Sequence, residues 1–237
     1  VSAAGSGTAA AIVTSIAADT PNAPTGLSAT AGDAQVSVAF TPPSNNGGST
    51  ITNYEYSTDG GTTWTAFAPA DTSSPVTITG LTNGTTYAIG LRAVNAAGSG
   101  TASASVNGTP MTIADAPTGL SATAGDAQVS IAFASPSNNG GSTITNYEYS
   151  TDGGTTWTAF APADTSSPVT ITGLTNGTTY AIGLRAVNAA GSGTASANVN
   201  STPLTIAIAP TGLSVTPADT QISVAFTPPS NNGGSTI

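Results

Sequence analysis

The 237-residue chain has no cysteine and no histidine. Without cysteine there are no disulfide staples and no thiolate ligands for a structural metal. Without histidine the usual general base near neutral pH is missing, so the many serines and threonines cannot be built into a Ser-His-Asp or Cys-His arrangement. Charge is equally scarce: two arginines stand against 11 acids, for a net charge of -9. Binding to nucleic acid rests on neutralised phosphates, so it is not expected here, and an anionic membrane surface would repel the chain. No apolar run reaches the length that crosses a bilayer, so no membrane insertion is expected. Aromatic residues make up only 5%, and any core must therefore be small. Gly 28 and Pro 16 suit a turn-rich protein and are too few for collagen.

The chain repeats itself. Pro24-Thr-Gly-Leu27 returns at Pro117 to Leu120 and again at Pro210 to Leu213, both times after 93 residues. Residues 24–116 and 117–209 match at 86 of 93 positions. The exchanges are mostly mild, such as Val38 to Ile131, with the larger ones, Gly108 to Ser201 and Asp115 to Ile208, near the junctions. In the same frame residues 1–23 read as the C-terminal fragment of a preceding repeat plus a linker, and residues 210–237 as the N-terminal fragment of a following one. The expectation is an excerpt from a longer array.

Within a repeat the period is two. Gln35 to Phe40 alternates, with Val36, Val38 and Phe40 on one face, as a half-buried strand does. Thr41 to Ser49, rich in Pro, Asn and Gly, cannot continue a central strand. Ile51 to Ser57 is the next strand, with Tyr54 and Tyr56 inward, and Asp59-Gly-Gly marks a tight hairpin. Trp64 to Phe67 returns, Val76 to Ile78 follows, and Tyr87, Ile89, Leu91 and Ala93 alternate inward on a long strand. Thr101 to Val106 reads as the closing strand. About seven short strands and no helical period imply an all-β fold of two stacked sheets per repeat. Gly90 and Gly183 sit in mid-strand. With Ala88 they leave a flat small-residue face, covered by a neighbouring aromatic or open as a contact surface. Glu55 and Arg92 should pair across strands, as should Glu148 and Arg185.

Leu81-Thr-Asn-Gly-Thr-Thr-Tyr87, repeated at Leu174 to Tyr180, resembles the tyrosine corner of the fibronectin type III family. The Pro-x-Gly-Leu opening, the Tyr54 strand and Arg92-Ala-Val-Asn-Ala-Ala-Gly extend the resemblance over the whole chain. It implies tandem immunoglobulin-like β-sandwiches in which Tyr87 and Tyr180, with Leu81 and Leu174, lock the turn into a central strand. Phe40 and Phe133 stand where the family usually has a core tryptophan, which leaves more of the core to Trp64 or a tyrosine. The family's Arg-Gly-Asp adhesion loop is absent. Ser57-Thr-Asp59-Gly-Gly-Thr-Thr-Trp64, repeated at Ser150 to Trp157 around Asp152, resembles the Asp-box hairpin of bacterial repeat proteins, which implies a structural cap.

No catalytic residue, cofactor site or metal site is expected. The aspartates are scattered through turns, and Asp115, the one place a linker calcium could be imagined, has no second acid beside it. Four Asn-x-Thr sequons read as turn chemistry. The leading expectation is a non-enzymatic structural rod or spacer of bacterial or phage surface type, in a secreted, cell-surface or virion fibre. Its partners would be the adjacent repeats and identical chains in the fibre. One alternative is a weak multivalent module that binds cell-surface glycans or proteins through polar, flexible loops at 44–49 and 95–100. Another is an accessory spacer of a secreted polysaccharide-degrading enzyme.

Overall fold

A computed structural model describes residues 17–236. The chain divides into two compact units, Val1–Pro110 and Met111–Ile237.

The first unit holds β1 (Thr25–Gly32), β2 (Gln35–Thr41), β3 (Asn53–Ser57), β4 (Thr65–Ala66), β5 (Val76–Thr79), β6 (Tyr87–Asn95), β7 (Gly98–Ser99) and β8 (Val106–Gly108). One sheet runs β1-β2-β5; the other runs β4-β3-β6-β7, with β8 also paired to β6. Every pairing is antiparallel. The register sets Val36 opposite Ile78 and Val38 opposite Val76, so the apolar parity of β2 and β5 falls on one face. Those residues meet Phe40, Tyr54, Ile89, Leu91 and Ala93 between the sheets. The expected sandwich is present, built from period-two alternation whose two apolar faces exclude water only when stacked. Phe40 lies edge-on to Tyr54 with ring centroids 4.7 Å apart. Tyr54, 1% exposed, is the largest fully buried side chain of this core.

The closing strand differs from expectation. Residues 100–105 are not a strand; pairing to β6 occurs at Gly98–Ser99 and resumes at Val106–Gly108. The Gly100 amide donates to the Ala93 carbonyl and the Ser103 amide to the Leu91 carbonyl, so three residues on this side oppose two on β6. That is a bulge, and the Ser103 hydroxyl fills the gap by accepting the Leu91 amide at 3.0 Å.

The second unit repeats the plan with β9 (Thr118–Gly125), β10 (Gln128–Ala134), β11 (Asn146–Ser150), β12 (Thr158–Ala159), β13 (Val169–Thr172), β14 (Tyr180–Asn188), β15 (Gly191–Ser192) and β16 (Val199–Ser201). Its sheets run β13-β10-β9 and β12-β11-β14-β15, with β16 on β14. A further antiparallel pair follows, β17 (Thr211–Ala218) and β18 (Gln221–Thr227). Its Leu213, Val215, Ile222, Val224 and Phe226 are 53–71% exposed.

Candidate functional site

The corner before β6 is held by its tyrosine. The Thr82 amide donates to the Tyr87 hydroxyl at 3.0 Å, and that bond holds the phenol below its ordinary range. Leu81 donates its amide to the Ala34 carbonyl. Asn83 accepts the Ala34 amide at 2.9 Å and donates to Asp33 at 2.8 Å, so the corner is laced to the β1–β2 turn. Tyr180, Leu174 and Asn176 repeat the arrangement in the second unit.

Asp59 caps the β3–β4 turn. It accepts the Thr63 hydroxyl at 2.6 Å, the Ser57 hydroxyl at 2.7 Å and the Thr62 and Thr63 amides. The Thr63 hydroxyl, then the Thr63 amide and the Ser57 hydroxyl, hold this carboxyl well below the usual carboxylate range. Asp152 repeats it with Thr156 and Ser150. Local donors aimed at one carboxylate explain why Asp follows Ser-Thr and precedes Gly-Gly-Thr-Thr.

The turn delivers Trp64 onto the outer face of the β3–β6 sheet. Its indole N–H donates to the Gly61 carbonyl at 3.1 Å. The ring lies over Gly90, where an added β-carbon would sit 3.4 Å from its edge. The Arg92 guanidinium stands 4.5 Å from the ring centroid and pairs with Glu55, which also accepts the Ser99 hydroxyl at 2.8 Å. Trp157, Gly183, Arg185 and Glu148 form the same cluster. Of the two alternatives open for Ala88, Gly90 and Gly183, cover by a neighbouring aromatic is the one seen, and not an open contact surface: Gly90 and Gly183 are buried beneath the tryptophans, and Ala88 is bridged by Asp59 and bonded to Gly60. The tryptophan therefore works on the outer face and not in the core.

The loops at 44–49 and 95–100 are tied together, contrary to the expectation of flexible loops. Asn95, 5% exposed, donates to the Asp19 carbonyl at 2.7 Å and the Asn46 carbonyl at 2.8 Å, and accepts the Ala97 amide. The residues before β1 join this knot: Asp19 donates to Gly47, Asn22 to Asn45, and Pro21 accepts Thr101. Gly47 has φ 72°, and a side chain there would run into the Asp19 carbonyl. Asn188 does the same in the second unit, donating to the Thr112 and Asn139 carbonyls. There Thr112 donates to Gly140, Asp115 to Asn138, and Ala114 is fully buried. Residues 111–116, which the 93-residue frame counts with the first repeat, thus begin the second unit. On the other side the Pro110 carbonyl accepts the Gly84 amide of the first unit. Met111 alone lies between the Pro110 and Thr112 anchors.

Sequence reasoning missed Asn95 and Asn188 as structural residues. A signal was present: Ile89, Leu91, Ala93 and Asn95 share one parity of β6, so the asparagine lies on the inward side. Among the described residues no group of three His, Cys, Asp or Glu could hold a metal ion. Among the same residues no helix is long and apolar enough to cross a membrane.

Two stacked antiparallel sheets and a tyrosine-locked corner define a β-sandwich module, present twice in tandem. The fibronectin type III domain family matches residues 22–109 and 115–202, which together make up most of the chain. The chain belongs to that family, a non-catalytic one, and is not an enzyme. Among solved structures it is similar to the crystal structure of chicken CNTN1 FN1-FN3 domains, at 16% sequence identity and a TM-score of 0.48, with 78% of this chain and 69% of that one covered.

Proposed function

We propose that this chain is an extracellular spacer, a length of secreted, cell-surface or virion fibre that sets a distance and presents one surface many times. The observation that carries the reading is the anchored junction: Pro110 is bonded into the first unit, Thr112 into the second, and Met111 is the single residue between them. A linker of that length has few soft dihedrals, unlike a Gly/Ser string. The Asp59 and Asp152 turns, which resemble the Asp-box hairpin, act as structural caps in this reading. The repeats are of the bacterial or phage surface type, and their partners are neighbouring repeats and identical chains.

Adhesion is the second reading. It is favoured by the repetition itself: the Trp64–Arg92–Glu55 cluster recurs as Trp157–Arg185–Glu148, so a weak contact with a glycan or protein would be multiplied along an array. Cryo-electron microscopy of the native full-length material, with glycan-array binding on the same sample, separates the two. Ordered fibres or separate straight rods without glycan binding support the spacer. Saturable glycan binding that strengthens with repeat number supports adhesion. Randomly bent chains would overturn the spacer reading.

A further inference from the structure

The segment between β16 and β17 is bonded on both sides. The Pro203 carbonyl accepts the Gly177 amide at 2.8 Å, and the Leu204 amide donates to the Gly125 carbonyl at 3.1 Å. Gly177 lies in the tyrosine corner and Gly125 ends β9, both in the sandwich that precedes the segment. Further on, the Thr205 amide donates to the Gly233 carbonyl at 2.8 Å and the Ile208 amide to the Asn231 carbonyl at 3.1 Å, both in the loop after β18. That loop also touches the corner of the preceding sandwich directly. A β-carbon on Gly234 would lie 2.9 Å from the Asn176 carbonyl carbon and 3.0 Å from the Gly177 Cα, and nearer still to the Gly177 nitrogen. A β-carbon on Gly177 would in turn lie 3.0 Å from Gly234 Cα and from its carbonyl oxygen.

We propose that Gly177 and Gly234 form a docking register between one repeat and the next. The tyrosine corner of the first seats against the Asn-Asn-Gly-Gly loop of the second, backbone on backbone, and the partner is the following repeat of the same chain. This rests on the spacer reading and adds the surface that fixes its junction. Both halves recur in the sequence. The corner Leu-Thr-Asn-Gly-Thr stands at 81–85 and 174–178, and the loop Ser-Asn-Asn-Gly-Gly at 44–48, 137–141 and 230–234. Each whole repeat therefore carries a corner and a loop, which a head-to-tail contact requires of its subunits.

Turn geometry alone does not account for Gly234. Gly48, its counterpart in the first loop, has φ 79° against 87° at Gly234, yet nothing among the described residues lies within 4 Å of a β-carbon placed there. Gly48 thus shows what the turn by itself requires, while Gly234→Ala meets the left-handed strain plus a collision. The test is amide hydrogen exchange on the full chain. Gly234→Ala should lower the protection of the Thr205 and Ile208 amides about tenfold or more, while Gly173→Ala, at a left-handed glycine with nothing within 4 Å of its β-carbon position, leaves them within roughly threefold. Equal losses from the two variants, or no loss at Thr205 and Ile208 in Gly234→Ala, would overturn the register. Should Gly234→Ala melt the β17–β18 pair itself, Gly177→Ala tests the contact from the other side. It must expose the same two amides while the β17–β18 cross-strand amides stay protected, and unchanged exchange there sinks the proposal. Solution scattering on the same samples keeps the two readings apart. An extended wild-type chain with silent glycine variants removes the register and leaves the spacer; a collapsed wild-type chain removes the spacer.

Discussion

Asn188→Ala removes the side chain that ties the leader of the second unit, residues 111–116 before β9, to its loops. Asn188 is 5% exposed and makes three bonds: to the Thr112 carbonyl at 2.8 Å, to the Asn139 carbonyl at 2.7 Å, and from the Ala190 amide at 2.9 Å. Each such bond contributes about 0.5–1.5 kcal/mol net, so three amount to about 2–4 kcal/mol in a largely buried setting. For a domain of this size that corresponds to a midpoint shift on the order of 10–20 °C. The leader keeps its backbone bonds from Thr112 to Gly140, Asp115 to Asn138 and Thr194 to Ala114, so it should loosen without leaving. Chemical unfolding of the full chain reads the effect, with the first unit, whose Asn95 is untouched, as internal reference. Amide exchange at Thr112, Asp115 and Thr194 locates it. Asn188→Asp should be worse than alanine, because a carboxylate would face two carbonyl oxygens where an amide donated to both. A second-unit transition within about 0.5 kcal/mol of wild type, with Thr112 exchange unchanged, would refute the argument that this asparagine anchors the leader.

Leu91→Ala, at a site with no exposure in the first core, should destabilise that unit by about 2–5 kcal/mol in urea unfolding. Glu55→Gln breaks an ion pair whose side chains keep 27% and 19% exposure, and should shift stability by only about 0.2–1 kcal/mol. Gly90→Val inserts atoms where the Trp64 ring edge sits 3.4 Å from the β-carbon position; about 1–3 kcal/mol of destabilisation and a red-shifted tryptophan emission are expected. The Asp59 and Asp152 carboxyls have folded-state pKa values below the ordinary one, so their stabilisation is complete above about pH 4 and is lost as pH falls further. Melts from neutral pH to pH ~2 should show that decline, and the Asp59→Asn, Asp152→Asn double variant should flatten it.

The sandwich was legible because its signals are local. Gln35 to Phe40 alternates, the Asp59 turn carries its own donors, and the Leu81–Tyr87 spacing marks the corner. The leader was not legible in the same way. Thr112-Ile-Ala-Asp115 has no period, and it is held by bonds to a loop more than twenty residues on and by a side chain on β14. Such contacts are set by tertiary backbone geometry and leave no hydrophobic pattern. The closing strand was misplaced for a related reason: Thr101 to Val106 alternates well, but the Ser103 hydroxyl takes the Leu91 amide, and the bulge moves regular pairing on to Val106. The mid-strand glycine was half legible. Its lack of a side chain implied that something lies close, and the structure identifies the tryptophan brought back by the capped turn.

The use of charge bears on function as much as its scarcity does. Arg92 and Arg185 are each taken up by a glutamate and a tryptophan of their own sheet. Asp33, Asp59 and Asp71 are taken up by Asn83, the Thr62–Thr63 turn and Ser73, and their copies in the second unit likewise. The loops at 44–49 and 95–100 are likewise committed to holding the residues before β1. What the chain does supply is the same surface again after every 93 residues, across junctions with one unanchored residue at Met111. Linking weak contacts makes each later one intramolecular, with a gain set by how well the spacing is held. In the proposed reading the anchored leader and the repeated sequence serve one end: function that belongs to the array and not to the single domain.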